Sequence, residues 1–258
     1  MRRRRLLALV TAVATGGCVG DDFPPDDIVT PAPVPTGTPL REQPASFAVV
    51  SAAVQPGIAL VDAGAVDILE EAGQYLVVAL AGDVPDRSAF EFRFDGRTYR
   101  PDPPQRRRYR DGESGTDLVF PLPETGTGTD AVLRWPDGAW GPPPSVVERL
   151  EAPLPSFAVT LDGPETATEG SDPKLVVDVA NVGGTDGRYV LALNRWESNA
   201  AYTPVDRLGG ELAAGASEVR LVDAAVPAGG ESARYTLDIP GERGRRHHII
   251  SASRTTPE

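Results

Sequence analysis

The sequence predicts an all-β protein built from two tandem β-sandwiches. Three observations support this fold class. Glycine and proline supply 27 and 26 of the 258 residues while aromatic residues make up only 6%, which favours short strands joined by turns over long helices. Apolar residues alternate with polar ones along much of the chain, as they do in half-buried strands. A short sequence element, finally, occurs once in each half of the chain.

That element is an internal repeat. Residues 44–49 read PASFAV and residues 155–159 read PSFAV, and a second pair, LVV, recurs in the same order at 76–78 and 175–177. The two pairs divide the chain into units spanning residues 45–152 and 153–258, with a proline-flanked linker at 151–155. Each unit has the size of an immunoglobulin-like sandwich, so two such domains in tandem are expected.

The first 17 residues predict a lipoprotein signal peptide. Arginines at 2–5, an apolar run to about residue 14 and small residues before Cys18 follow the order of an export signal. The run is shorter than the roughly 20 residues that span a bilayer. Small residues before the only cysteine resemble the lipobox of bacterial and archaeal lipoproteins. The resemblance implies cleavage before Cys18 and a lipid on its thiol, which would be the membrane anchor.

The same segment fits the twin-arginine export pattern, with Arg3 and Arg4 followed by the apolar pair Leu6 and Leu7. Thr15 replaces the leucine that is usual in a lipobox. The alternatives are an ordinary secretory signal with an incidental cysteine and a fortuitous N-terminal helix.

Residues 18–44 predict a disordered, acidic and proline-rich tether. The segment lacks the apolar residues that offset the entropy of ordering, and its prolines keep it extended. Its aspartates at 21, 22, 26 and 27 lack the D-x-D-x-D-G spacing of a calcium loop, so a solvated acidic run is expected.

Strands of the first unit follow from alternation and from turn residues. Phe90, Phe92 and Phe94 alternate with charged residues, and the Asp-Gly pair at 95–96 predicts a tight hairpin. Residues 74–81 are almost continuously apolar, which is typical of a central strand. Further strands are expected at 118–122 and 131–135, with a turn at 136–138 leading to Trp140. Residues 65–73 could instead form a short inserted helix.

The second unit shows the same period of two, which places the apolar residues of each strand on one inward face. The predicted inward residues are Leu175, Val177, Val179, Tyr189, Leu191, Leu193, Val219, Leu221, Tyr235, Leu237 and Ile239, and residues 249–253 are the expected closing strand.

Three segments of the second unit resemble the cell-adhesion-related β-sandwich domain of prokaryotic secreted proteins. They are TEG at 168–170, LVVDVANVGG at 175–184 and VPAGG at 226–230. The first unit is similar to a related immunoglobulin-like domain of secreted lipoproteins, with 118–120 and 133–135 as its late strands. Both resemblances imply the fold and an extracellular location, and neither implies catalytic residues.

The charge balance excludes some partners and suggests a habitat. The net charge of −12 argues against a face that binds nucleic acid or an anionic membrane surface. Lys174 is the only lysine, and both units share the acidic excess. Such a surface repels itself in dilute buffer but is screened at molar salt, so we expect a halophilic, archaeal protein. A high-GC genome that encodes arginine in place of lysine is the alternative.

One cluster of basic residues stands out against the acidic background. Guanidinium groups beside an aromatic ring suit phosphate, carboxylate or an anionic polysaccharide. The alternative is a loop whose charges pair with Asp111, Glu113 and other nearby acids. The candidate anion-binding residues are Arg97, Arg100, Arg106, Arg107, Arg108 and Arg110, around Tyr109.

Other site residues are sparse. His247 and His248 are adjacent, so a strand would point them to opposite faces, which is poor geometry for a metal. Trp135, Trp140 and Trp196 could stack on sugars but more often lie in the core of a sandwich. We therefore expect no catalytic residue, metal or cofactor.

Together these features predict a noncatalytic, lipid-anchored protein on the extracellular face of the cell membrane. It would be an interaction or structural module whose partner is an envelope protein or a polysaccharide. The alternative is an accessory ligand-binding lipoprotein that uses the arginine cluster as an anion site.

Overall fold

A computed structural model of the chain describes residues 46–62, 64–102, 107–108, 116–197, 202–226, 232–241 and 245–253. The predicted signal peptide and tether lie outside the described residues, and so do Arg106 and Arg110. The predictions for Cys18, Arg3, Arg4, Leu6 and Leu7 therefore stay predictions.

The first half of the chain forms a sandwich of two antiparallel sheets, called here the N-terminal sandwich. Its sheets have the strand orders β1-β4-β8 and β10-β9-β5-β6, and a third sheet, β3-β2-β7, lies beside them. The strands are β1 (Phe47–Gln55), β2 (Ile58–Asp62), β3 (Ala65–Leu69), β4 (Gln74–Gly82), β5 (Glu91–Phe94), β6 (Arg97–Tyr99), β7 (Arg107–Arg108), β8 (Thr116–Leu122), β9 (Val132–Trp135) and β10 (Gly138–Trp140).

The phenylalanine alternation places three rings in the core of this sandwich. Phe90, Phe92 and Phe94 are fully buried and lie in one apolar cluster with the inward residues of β4 and β8. Asp95 and Gly96 both have positive φ, 51° and 70°, as a two-residue type I′ hairpin requires. The predicted hairpin between β5 and β6 is confirmed.

A single α-helix among the described residues closes the N-terminal sandwich. Helix α1 (Pro144–Glu151) begins at a proline, and its buried Val146 and Leu150 are one turn apart on the face that meets the core. The Leu150 carbonyl accepts a hydrogen bond from the buried Gln74 amide at 3.0 Å. No helix was predicted at these residues from the sequence.

The second half forms the C-terminal sandwich, with strand orders β11-β13-β16 and β12-β18-β17-β14-β15. Its core is a separate apolar cluster built from both sheets. The strands are β11 (Phe157–Asp162), β12 (Thr166–Thr168), β13 (Lys174–Asn181), β14 (Gly187–Glu197), β15 (Thr203–Leu212), β16 (Ser217–Asp223), β17 (Ser232–Asp238) and β18 (Arg246–Ser253). The all-β sandwich class predicted from the sequence is confirmed.

The sequence repeat corresponds to equivalent strands. Phe47 and Phe157 each begin the first strand of their sandwich, and the two LVV segments lie in β4 and β13. Each of those strands is the centre of a three-stranded sheet and pairs antiparallel with the first strand. The repeat therefore marks the same topological position in both halves.

The helix considered for residues 65–73 is wrong. Residues 65–69 form β3, which pairs antiparallel with β2 in register from Asp62–Ala65 to Ile58–Leu69. Val66 is completely buried, and its backbone is satisfied by a partner from the other half of the chain. This tertiary contact outweighs the local helix propensity of the segment.

The inward orientation expected for Val219 and Leu221 is also wrong. Pairing with β13 puts Val222 opposite the buried Leu175, which turns Val219 and Leu221 outward. The neighbouring inward positions, 218 and 220, hold Glu218 and Arg220. Glu218 accepts hydrogen bonds from the Tyr189 hydroxyl and from Arg220 Nε, so the charged groups are satisfied beneath the sheet.

We predict that Gly96→Ala lowers the free energy of unfolding by about 1 kcal/mol, because alanine is strained at positive φ. Gly184→Ala is the matched control, since Gly184 also has open space around it but no positive φ. Its change should stay within about 0.5 kcal/mol. Urea unfolding measures both, and equal effects would contradict the turn assignment.

Candidate functional site

The two sandwiches meet through the β2–β3 hairpin, called here the junction hairpin. One side of the hairpin carries Ile58 and Leu60, which pack on Tyr75 and Val119 of the N-terminal sandwich in a buried cluster. These contacts cover the outer face of the sheet β1-β4-β8. They account for only one of the two faces of the hairpin.

The other side of the junction hairpin is also apolar and packs on the C-terminal sandwich. Ala59 and Val66 form a buried cluster with Val190 and Ala192 of β14. Alanines on both surfaces allow close approach, and Val66 is fully buried. Burial of a valine side chain stabilises by roughly 1.5–3 kcal/mol. The hairpin is therefore buried from both sides, one by each sandwich.

A side-chain amide fixes the position of the hairpin on β14. Asn194 is 2% exposed, and its Oδ1 accepts from Val66 N at 2.8 Å while its Nδ2 donates to Val66 O at 2.7 Å. The amide thus replaces the backbone partner that a neighbouring strand would supply. Both Val66 groups would otherwise be buried without a partner, which costs about 1–3 kcal/mol for each group.

Close approach at the entrance to the hairpin requires a glycine. A Cβ at Gly57 would lie 2.7 Å from Ile68 Cγ2 and 3.3 Å from Pro240 Cγ. The first contact is within the hairpin and the second is with the C-terminal sandwich. A larger residue at 57 would therefore displace Ile68 and crowd Pro240 of the C-terminal sandwich.

Charged groups surround this apolar contact. Glu70 accepts from Gly241 N at 2.6 Å, across the two halves of the chain. Arg245 Nε lies 2.5 Å from Asp238 Oδ1, and its Nη2 lies 4.0 Å from Asp67 Oδ1 in the junction hairpin. Burial raises the pKa of Asp238 above its ordinary value, and Arg245 partly offsets this effect.

A cleft of about 400 Å³ opens beside the junction. The described part of its wall carries two carboxylates and several prolines and presents no cation to an anionic ligand. The residues that define it include Pro56, Glu70, Glu124, Pro155, Phe157 and Pro240.

The structure separates the predicted arginine residues. Arg97 and Arg100 are exposed at and just after β6, and Arg100 Nη2 lies 3.3 Å from Glu91 Oε1. Arg107 and Arg108 form β7, which adds to the edge of β2 in a different sheet. Neither Arg97 nor Arg100 lines the cleft. The anion site stays a prediction, since side chains beyond Arg97 and Arg100 lie outside the described set.

The three tryptophans considered as sugar-stacking residues each pack against other residues of the chain. Trp135 packs edge-on against Phe47, and Trp140 is buried in the same core. Trp196 is partly exposed on β14, and Arg234 lies over its ring at 5.4 Å.

The two histidines lie in β18 and make separate contacts. His247 Nδ1 is 3.2 Å from the Thr236 hydroxyl, whereas His248 Nε2 is 3.1 Å from the Pro164 carbonyl. Within the described ranges, no three His, Cys, Asp or Glu residues converge as metal ligands would. No helix in the described part of the chain is long and apolar enough to cross a membrane.

The junction was not among the predicted sites, although the sequence carries a signal for it. Residues 58–61 are four consecutive apolar residues, a pattern typical of a strand that is buried on both faces. Asn194 gave no signal, because the partner of its amide lies 128 residues away.

The chain matches no protein-family model and no curated protein. It is similar to solved β-glucosidases from Erythrobacter marinus and from Listeria innocua, the latter in complex with gluconolactone. The identities are 15% and 12%, both TM-scores are 0.34, and each alignment covers 40% of this chain and 16% of the glucosidase. The chain therefore spans less than a fifth of either enzyme.

It is also similar to a CARDB domain from Pyrococcus furiosus that was solved in complex with di-metal ions. That alignment has 15% identity and a TM-score of 0.32, and it covers 39% of this chain and 90% of the domain. At such TM-scores these likenesses carry no functional argument.

We predict that Asn194→Ala lowers the free energy of unfolding by about 2–4 kcal/mol, because it leaves both buried Val66 backbone groups without partners. Asn194→Asp should also destabilise, since its carboxylate would face the Val66 carbonyl. Thr203→Ala, at an exposed position on the neighbouring β15, is the control. Urea unfolding that gives Asn194→Ala the stability of the control would refute the role of the amide.

The raised pKa of Asp238 predicts a pH dependence of stability. The folded chain keeps the Asp238 proton to a higher pH than the unfolded chain, so this group's contribution to the free energy of unfolding falls as pH rises from 3.8 through the raised pKa. Asp238→Asn removes this pH dependence. The free energy of unfolding of the variant, relative to that of the wild type, should therefore increase as pH rises from 3.8 through the raised pKa.

Asp137→Asn, in the exposed β9–β10 turn, controls for removal of one charge. Urea unfolding at a series of pH values gives the comparison. A relative stability of Asp238→Asn that decreases with pH would contradict the assignment.

Proposed function

We propose that the chain is a noncatalytic, lipid-anchored cell-surface protein whose two sandwiches act as one rigid interaction module. The observation that carries this proposal is the junction hairpin, which is buried by both sandwiches and hydrogen-bonded by Asn194. A rigid pair of sandwiches holds its exposed sheet faces in fixed directions. That property suits a protein that presents a surface to an envelope component.

The proposed location follows from the first 44 residues of the sequence. A lipid on Cys18 would hold the chain at the extracellular face of the membrane, and the acidic, proline-rich segment would separate the sandwiches from it. A single lipid chain gives only marginal membrane binding, so a second chain on the same residue is part of this proposal.

The accessory ligand-binding alternative receives no support from the cleft. Among the described residues of its wall, Glu70 and Glu124 are the charged ones, and two carboxylates disfavour an anionic ligand. An interaction surface therefore agrees better with the described residues than an arginine-lined pocket does.

We predict that Cys18→Ser releases the protein from the membrane fraction into the medium, because the serine hydroxyl does not receive the lipid. Thr15→Leu, which restores the usual lipobox residue, is the control and should leave the protein in the membrane fraction. Fractionation of producing cells followed by immunoblotting measures the distribution. Membrane retention of Cys18→Ser would overturn the anchor.

The acidic surface predicts that stability depends on salt. The chain has a net charge of −12 and a single lysine. The self-repulsion of such an acidic surface is screened at 1 M salt, where the Debye length is about 3 Å. Thermal unfolding of the full chain should occur at a higher temperature in molar KCl than in dilute buffer. An unchanged melting temperature would remove the halophilic assignment.

A further inference from the structure

Large apolar side chains are exposed on one sheet of the C-terminal sandwich. Val219 and Leu221 of β16 are 59% and 65% exposed, and Val182, just after β13, is 65% exposed. Only three other large hydrophobic residues of the described chain are exposed, at 37–48%, and they lie elsewhere. A cluster of this kind on an acidic protein marks a candidate interaction surface.

Strand register places Val219 and Leu221 on the outer face of the sheet β11-β13-β16, beside outward residues of β13. Leu221 lies opposite Val176, and Val219 lies opposite Asp178. Side chains directly opposite in an antiparallel pair are about 5 Å apart at Cβ. On the far side of β13, Ala158 pairs with Ala180 and Thr160 with Asp178, which extends the face with small residues.

The fold itself does not demand apolar residues at these outward positions. β16 buries Val222 but places Glu218 and Arg220 at the other inward positions, where Tyr189 and the pair itself satisfy them. β16 therefore has charged residues facing inward and apolar residues facing outward, the opposite of a usual edge strand. Such a mismatch between the sequence pattern and the burial of side chains is expected mainly at functional sites.

Charge identifies the occupant of this face. Asp178 is exposed among Val176, Val219 and Leu221, and its carboxylate has no ion-pair or hydrogen-bond partner in the described part of the chain. Lys174, at one end, is paired with Asp223. An arginine or lysine of a partner could pair with Asp178 while its aliphatic stem packs on the valines.

The same charges disfavour two other occupants. A second copy would bring its own acidic face against this one, with the unpaired Asp178 carboxylates repelling each other. The chain's own residues 19–44 carry four aspartates and no basic residue except Arg41, so they are repelled as well.

We propose that the outer face of β11-β13-β16 is the docking surface for a protein that presents a basic side chain within an apolar patch. This inference deepens the proposed interaction module and rests on it. Val176, Val219 and Leu221 supply the apolar contact, and Asp178 supplies the charge that selects the partner. The junction hairpin covers the other sheet of this sandwich and leaves this face open.

Photocrosslinking in producing cells tests the surface. In one variant of the full chain, p-benzoylphenylalanine replaces Val219. In the matched control variant it replaces Val50, which is 47% exposed on the N-terminal sandwich. We expect an adduct with another protein from position 219 and none from position 50. An adduct with a second copy, an adduct with residues 1–45 of the same chain, or no adduct would overturn the surface.

The crosslinked protein, purified and titrated against the full chain, then tests the charge. Asp178→Lys should weaken binding at least about tenfold, as expected for one partner of a desolvated charge pair. Asp137→Lys makes the same charge change at an exposed turn of the other sandwich and should leave the affinity unchanged. Equal affinities of the two variants would overturn the charge assignment.

A second pair of variants tests the apolar contribution to binding. Leu221→Ser should weaken binding, whereas Val50→Ser should not, and thermal unfolding of both variants confirms that they are folded. Partner adducts obtained from position 50 but not from position 219 would refute this surface and leave the proposed function standing. Adducts from neither position would count against both.

Discussion

The arrangement of the whole molecule depends on a hairpin whose two faces are packed against different sandwiches. Ile58 and Leu60 cover the N-terminal sandwich, while Ala59 and Val66 cover β14 of the C-terminal sandwich. If the hairpin left either surface, a buried apolar face of both partners would enter water. The stability of each sandwich is therefore coupled to that of the other.

This constraint also decides which surfaces remain free. In the C-terminal sandwich the junction occupies the outer face of the five-stranded sheet around β14, so the outer face of β11-β13-β16 is the one left for a partner. The charged inward pair, Glu218 and Arg220, allows Val219 and Leu221 to point outward on that face. Junction and docking surface thus lie on opposite sheets of one domain.

Local sequence signals were sufficient for much of the fold. The alternation at 90–94, the Asp-Gly turn and the continuous apolar run of β4 depend on near neighbours, and each prediction from them is confirmed. The repeat, which predicted two units, coincides with the equivalent first and central strands of the two sandwiches.

Predictions failed where a distant partner decides the outcome. Residues 65–69 favour helix locally, but Asn194 and β2 hold them as a strand. The orientation of β16 depends on its register with β13 and on the Tyr189 hydroxyl, neither of which a single strand reveals. The proposed interaction surface could therefore not be found from alternation, which pointed its valine and leucine inward.

The most direct test of the account is the distance between the two sandwiches in solution. Spin labels on Asp137→Cys and Gly184→Cys, in a Cys18→Ser background, place one label on each sandwich at exposed positions. Double electron–electron resonance should give a single narrow distance distribution, because the junction hairpin is buried by both partners. A broad distribution, as expected for two domains on a flexible linker, would contradict the rigid module.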